Sequence, residues 1–417
     1  MTRRKALFSG FAVALVLILA GTLPLPAQQA PAGQVVKLGE GETLTISGFV
    51  NGTLFLDRGL FGGFGQGQNA EWAAAPAAQP GVRQGIFDGD VRNTRINFTF
   101  NAPPVLGTFA PRATIEADFF GAFPTTGAAN QGAPPFADEQ PQFRVRFAYV
   151  DLTNGRTTLR VGQFWSPMFG EVPVSVTHLA FPVGYGATGM VGWRFPGIYL
   201  YQDLTSGAPV NVQLQLAVMK GSGPAIGAKD QGNNIGSGEA SGLPQLEGRL
   251  NFTRKSGKNS WTGYVVGHVD WKDTTGTGTN TPLLNAWGFE TGHNFTMDRF
   301  TLHGNFYVGK ALGQQFAHIT QQGNVKGWGA WAQAGYELDP HWSVWAYAGM
   351  DQPDYAQFAL DNGGAALPRQ LSHDYDALVR FRAGRYALGL EYFRAVTQWS
   401  TGRTDADQIA ISALFTL

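Results

Sequence analysis

The sequence predicts a transmembrane antiparallel β-barrel of about 16 strands, with short periplasmic turns at one end and long extracellular loops at the other. Three observations carry that expectation: an export signal, period-two polarity in short segments along the whole chain, and a strict alternation of short and long connections.

The export signal comes first. Arg3, Arg4 and Lys5 precede an apolar run from Ala6 to Leu23, and Pro24 to Ala30 closes it with small and polar residues. This is the layout of a secretory signal peptide. Residues 1–27 are therefore expected to be cleaved, leaving 28–42 as a short periplasmic segment and 43–417 as the barrel. Cleavage removes three cations and no acid from a balance of 30 basic and 30 acidic residues, so the mature charge is −3. Such a balance offers nothing to nucleic acid. The absence of cysteine excludes disulfides, thiolate metal sites and cysteine nucleophiles. Charged residues make up 14% of the chain, aromatics 13%, and glycines number 56. A soluble domain carries about 25% charge; a wall that is apolar outside and polar inside needs less.

Strands are expected near 43–57, 90–101, 111–121, 142–153, 156–165, 189–201, 210–220 and 243–255. Eight more follow near 260–272, 283–297, 299–310, 326–338, 341–351, 373–383, 385–396 and 405–417. Alternation is the warrant. Asn211, Gln213 and Gln215 interleave with Val210, Val212, Leu214 and Leu216, and Thr301, His303 and Asn305 with Phe300, Leu302, Gly304 and Phe306. Successive side chains of a strand point to opposite faces, so each segment has one apolar and one polar face. The last strand runs to the end of the chain, with Ile409, Ile411, Ala413, Phe415 and Leu417 on one face.

Short turns fall at 153–155, 256–259, 297–298, 339–340 and 383–384. Long Gly/Pro/Asn-rich stretches fall at 58–89, 122–141, 166–188, 221–242, 273–282, 311–325, 352–372 and 397–404. In a barrel with both termini in the periplasm, short turns face the periplasm and long loops face outward. Trp193, Tyr199, Tyr201, Trp261, Trp271, Trp328, Trp342 and Tyr392 sit near strand ends and are expected in the interfacial girdles.

Enzyme constellations are thin. No zincin, nucleophile-elbow or Walker-type pattern occurs, and the glycines from Gly63 to Gly67 lack a flanking strand–helix arrangement. The histidines (His178, His268, His293, His303, His318, His341, His373) show no metal-ligand spacing, so no metal or cofactor is expected. His268 or His303 would be the bases of a barrel hydrolase, though nothing singles them out. The informative group is inward charge. Arg95 alternates with Ile96 and Phe98. Arg112, Thr114, Glu116 and Asp118 share a face opposite Ala113, Ile115, Ala117 and Phe119. Arg144 and Arg146 alternate with Phe143, Val145 and Phe147, and Arg160 lies between Leu159 and Val161. Two readings stand together: an arginine arc that draws anions along an aqueous path, and arginines that brace the wall through Glu116 and Asp118. Arg249, Arg380 and Arg382 extend positive charge on the opposite wall. Segment 166–188 carries many apolar residues, with Glu171 and His178 its only ionisable ones, which suits a constriction loop folded into the lumen.

The run Arg95-Ile-Asn-Phe98, Glu116-Ala-Asp118-Phe-Phe-Gly121, Phe143-Arg-Val-Arg146-Phe-Ala-Tyr149 and Gly162-Gln163-Phe-Trp165-Ser166 resembles the DcaP-type outer-membrane porins, with a fainter likeness to phosphate-selective porins. The resemblance implies a 16-stranded homotrimer in the outer membrane that passes small, often anionic solutes such as dicarboxylates. It also implies lumen-wall roles for Arg95, Arg144, Arg146 and Arg160, and delivery by the barrel-assembly machinery, which reads an apolar final strand. Members of that family often carry an N-terminal coiled coil, for which Gln28 to Glu42 is too short and Gly-rich. The reading is a passive porin surrounded by outer-membrane lipids. The alternatives are a barrel hydrolase and a plugged structural or adhesive barrel.

Overall fold

The computed structural model describes residues 33–63, 70–78, 85–121, 141–205, 207–221, 223, 225–229, 234–275, 283–314 and 323–417. The expected signal peptide, and the start of the segment after it, lie outside the described residues. So do His318 and Gly65 to Gly67.

Sixteen strands form one closed antiparallel barrel. β1 is Glu42–Arg58, and β2 is built from two pieces, Ile86–Asp90 and Arg95–Asn101. Next come β3 (Ala110–Asp118), β4 (Arg144–Asn154), β5 (Thr157–Trp165), β6 (Arg194–Asp203), β7 (Asn211–Met219) and β8 (Gln245–Ser256). β9 (Asn259–Lys272), β10 (Leu284–Met297), β11 (Phe300–Lys310) and β12 (Lys326–Glu337) follow. β13 (Trp342–Pro353), β14 (Arg369–Ala383), β15 (Tyr386–Trp399) and β16 (Gly402–Thr416) complete the wall. Closure runs from Phe49↔Thr416 to Arg58↔Asp407 between β1 and β16. Gln34–Gly39 pairs with the start of β1 on that same edge, below the end of β16.

The alternation in the sequence becomes the wall. Val50, Leu54, Val150, Val161, Ile198, Leu216, Leu302 and Phe306 are exposed, whereas Asn51, Thr53, Asp151, Arg160, His303 and Asn305 on the same strands are buried. The apolar face meets lipid; the polar face fills the lumen. Among the described residues no helix is long and apolar enough to cross a membrane.

Four expectations need correction. The outer connection expected over 397–404 is a tight turn at Ser400–Thr401, because β15 and β16 stay paired up to Trp399↔Gly402. The strand expected over 189–201 begins only at Arg194, since residues 189–193 belong to the preceding loop. Trp193, Tyr199 and Tyr201 lie inside rather than in a girdle. Tyr199 pairs directly across from the inward Arg160 and donates to the Phe164 carbonyl at 3.1 Å, while Trp193 packs on Tyr185. Trp261, Trp271, Trp328, Trp342 and Tyr392 keep outward positions.

The fourth correction concerns β4. Simple alternation sends Phe147 to the lipid, but Phe147 is buried in the lumen beside Arg146. The register slips from Glu116↔Phe147 to Ala117↔Val145, which makes Arg146 the extra residue of a β-bulge. A bulge interrupts the two-residue period, so consecutive residues can share one face. Both Arg146 and Phe147 turn inward.

Candidate functional site

The lumen is occupied by the connection between β5 and β6, residues 166–193, which is buried over most of its length. Its apolar residues explain why. Phe181, Val183, Tyr185 and Met190 pack with Phe120 of the near wall and with Trp331, Tyr347 and Phe393 of the far wall. Polar contacts tie its backbone to the far side. Glu391 accepts from Ser175 Oγ (2.6 Å) and from the amides of Val176 (3.2 Å) and Thr177 (3.1 Å). Glu247 accepts from the Met168 amide at 2.7 Å, and Gln333 both accepts from and donates to the Val174 backbone. Thr188 Oγ1 donates to Asp374 at 2.9 Å. Gly189, at φ +82, lies so close to the Ala330 backbone of β12 that a Cβ would fall 2.5 Å from its carbonyl carbon. Only glycine fits there.

The carboxylates of β8 to β15 are thus largely engaged by the loop or by neighbours on their own wall: His268 bonds Glu247, and Tyr264 bonds Glu290. The opposite wall, β2 to β6, carries the arginines. Arg144 donates to Asp118 through Nε (2.9 Å) and Nη2 (2.6 Å), and Arg146 bridges Glu116 (2.8 Å) and Asp118 (3.0 Å). Arg95 approaches Glu116 at 3.7 Å and donates to the Leu179 carbonyl of the loop at 2.9 Å. Farther round, Arg160 forks onto Asp151 at 2.7 and 3.0 Å, and Arg112 bonds the same carboxylate. Arg160 also lies 3.8 Å above the Tyr149 ring.

The buried arginines outside the sequence reading include Arg92, Arg369 and Arg194. Arg194 is 5% exposed, with its guanidinium 4.3 Å from the Trp193 ring centroid and 4.9 Å from that of Trp165. Its Nε and Nη1 are buried with no hydrogen-bond partner. Alternation along β6 puts residue 194 with Pro196 and Ile198, toward lipid; the junction with the inserted loop turns it into the protein instead. The sequence signal available was its place between Trp193 and the first inward aromatic, Phe195. Asp151 was legible and overlooked, since Val150 and Leu152 flank it.

The arithmetic of this wall is simple. Arg95, Arg112, Arg144, Arg146, Arg160 and Arg194 face three carboxylates, Glu116, Asp118 and Asp151. The bracing reading of the arginines is met by these ion pairs, and a surplus of positive charge remains beside them. Glu171 reaches away from the arc: Asn294 Nδ2 donates to it at 3.2 Å and His303 Nδ1 lies 3.6 Å away. Arg249 holds the start of the loop through the carbonyls of Pro167 (2.9 Å) and Phe169 (3.1 Å). Arg380 and Arg382 gather at Glu337 near the end of the barrel that carries the short turns.

Below the loop is a cavity of about 690 Å³, lined by Arg156, Glu171, Asp203, Gln213, Gln215, Arg249, Asn251, Thr253 and Tyr264 among others. Its amide- and hydroxyl-rich lining suits a water-filled vestibule. Among the described residues no cluster of histidines and carboxylates could hold a metal ion. Among the described residues, the side chains that bond His268 and His303 are Glu247 and Gln333, and no serine hydroxyl is among them.

No family model matches the sequence, and no curated protein matches it. Solved structures do match its fold. The outer-membrane channel DcaP of Acinetobacter baumannii superposes with a TM-score of 0.67 at 16% identity, over 93% of this chain and 100% of that one. An anion-selective porin from Comamonas acidovorans gives 0.56 at 13% identity, over 90% and 100%. OmpT, an outer-membrane protein of Vibrio cholerae, gives 0.52 at 12% identity in its loop L8 deletion mutant, over 90% and 100%. The architecture is that of the outer-membrane barrels, as the resemblance to the DcaP-type chains implied.

Proposed function

We propose that this chain is an outer-membrane porin, a passive channel with no catalytic cycle, that favours small anions such as dicarboxylates and works as a homotrimer. The observation that carries the proposal is the charge imbalance of the lumen wall. On β2 to β6, Arg95, Arg112, Arg144, Arg146, Arg160 and Arg194 meet Glu116, Asp118 and Asp151, Asp90 being paired with Arg92, while Glu247, Asp374 and Glu391 of the far wall accept from the inserted loop. A solute crossing a narrow path loses part of its hydration, and fixed positive charge in a low-dielectric wall offsets that cost for anions alone. The field also raises the local concentration of anions at the mouth. No side chain undergoes chemistry in this scheme. The ion pairs keep the arginines in place, and segment 166–193 sets the width.

Planar-bilayer recording of the refolded protein tests the reading. Open-channel conductance is expected, with a reversal potential under a salt gradient displaced toward the anion equilibrium potential. Replacing Arg144 and Arg146 together with glutamine should move it toward zero. Strong cation preference in the wild type overturns the arginine assignment. A folded barrel that conducts nothing is a plugged structural barrel.

A further inference from the structure

On the outward face, Lys310 of β11 and Lys326 of β12 are direct cross-strand partners. Both have outward parity, shared with Phe306 and Val308 on β11 and with Trp328 on β12. Two like charges set opposite each other destabilise a sheet pair. Neither lysine has an ion-pair partner among the described residues. They flank the long connection 311–325, which places them at the outer end of the wall. An aromatic shelf adjoins them: Trp287 stands beside Lys310 as its partner on β10, and one step below the lysines Trp328 lies 6.1 Å from the Phe306 ring. Tryptophan at that height marks the lipid headgroup level.

Beside Lys326 the wall is hollow. A cavity of about 410 Å³ opens between Trp328, Gln352 and the short helix Tyr355–Asp361, with Tyr355 half exposed at its rim. The one acid in its lining, Asp354, is engaged as the helix cap and accepts from the Gln357 amide at 2.9 Å.

We propose that the lysine pair at the edge of this recess, Lys326 in its lining and Lys310 across the strand pair, binds the phosphorylated headgroup of an outer-leaflet lipid. The phosphate sits between Lys310 and Lys326, and the first acyl carbons lie on Trp287, Phe306 and Trp328. An anion between the lysines converts a repulsive pair into a bridged one, and the apolar shelf beneath favours a lipid over a free anion. The proposal rests on the outer-membrane reading of the barrel but not on its conducting.

The test uses the full folded barrel in phosphatidylcholine bilayers containing a minor fraction of diphosphoryl lipid A. Native mass spectrometry counts the lipid retained on release, and conductance is recorded from the same preparations. Wild type is expected to retain lipid A over phosphatidylcholine. K310Q/K326Q should lose about thirtyfold in retention, about fivefold for each cation held at a charged leaflet. K310R/K326R should keep it, and conductance should be equal in all three. Undiminished retention by K310Q/K326Q overturns the site. Inorganic phosphate displacing the lipid at equal concentration overturns the lipid assignment. A barrel that retains lipid A but does not conduct defeats the porin reading and leaves this one standing.

Discussion

The arginine wall makes one prediction in which stability and selectivity come apart. Asp118 has a fully buried side chain that accepts from Arg144 twice, from Arg146 at 3.0 Å and from the Phe120 amide at 3.2 Å. Asp118→Asn keeps the shape but removes the charge, leaving the buried Arg146 and the partly buried Arg144 short of a counterion. Breaking a buried pair from one side costs about 3–5 kcal/mol. Arg146→Met strands the other partner. That loss lies near the lower end, about 3 kcal/mol, because Glu116 retains Arg95 and Asp118 retains Arg144. Both variants should therefore unfold more readily in denaturant, read by heat-modifiable migration on gels. Selectivity moves in opposite directions. Arg95, Arg144, Arg146 and Arg194 outnumber Glu116 and Asp118 by two; Asp118→Asn raises the surplus to three and Arg146→Met lowers it to one. A unit charge roughly 8 Å from a passing ion contributes ~0.5–2 kcal/mol across the effective dielectrics of such a site. The permeability of each ion should thus change about two- to thirtyfold, in opposite senses for anion and cation, so the anion-to-cation ratio rises by the square of that factor in the first variant and falls by a like factor in the second. Reversal potentials in bilayers read the ratio. If both variants are destabilised and neither shifts selectivity, or both shift it the same way, the arginines only brace the wall.

Two further outcomes are expected. Glu391→Gln removes the charged acceptor of Ser175 and of the Val176 and Thr177 amides. It should loosen the loop by about 2 kcal/mol, seen as larger and noisier single-channel currents; an unchanged record refutes that anchoring role. Glu71, in the first outer connection, is buried with both oxygens unpartnered, and burial pushes its carboxyl well above the usual carboxylate range. A raised folded pKa means docking is strongest below the free carboxylate's pKa and weakens as pH rises toward the docked value. Protease cleavage near 61–73 should therefore increase with pH in the wild type and stay flat in Glu71→Gln, and a flat wild-type profile refutes the assignment.

Strand number and facing were legible because alternation is local: a strand of ten residues carries its own facing in its side chains. What alternation cannot show is where its own period breaks. The bulge at Arg146 is visible only once β3 and β4 are in register, so Phe147 was placed on the wrong face. Arg194 escaped for a related reason, since it stands where a strand becomes a lumen-filling loop. The loop itself was legible from its burden of apolar residues, but its hydrogen-bond partners were not. Those lie on strands 159 and 216 positions away, and no pattern within 166–188 names Gln333 or Glu391. The tight turn at Ser400–Thr401 hid behind the polar residues around it, which serve paired strands as well as they serve a loop.

The inserted segment also has a bearing on the order in which the molecule is made. Thr177 meets Ser412 across 235 positions, and Ser175 meets Glu391 across 216. Neither partner has been synthesised when 166–193 is made, and each takes its place only once β15 and β16 have joined the sheet. Before closure, Glu391 and its neighbours would line an open sheet with their amide partners elsewhere. The loop's contacts with β15 and β16 therefore form last, and its full seating waits on the closing strands.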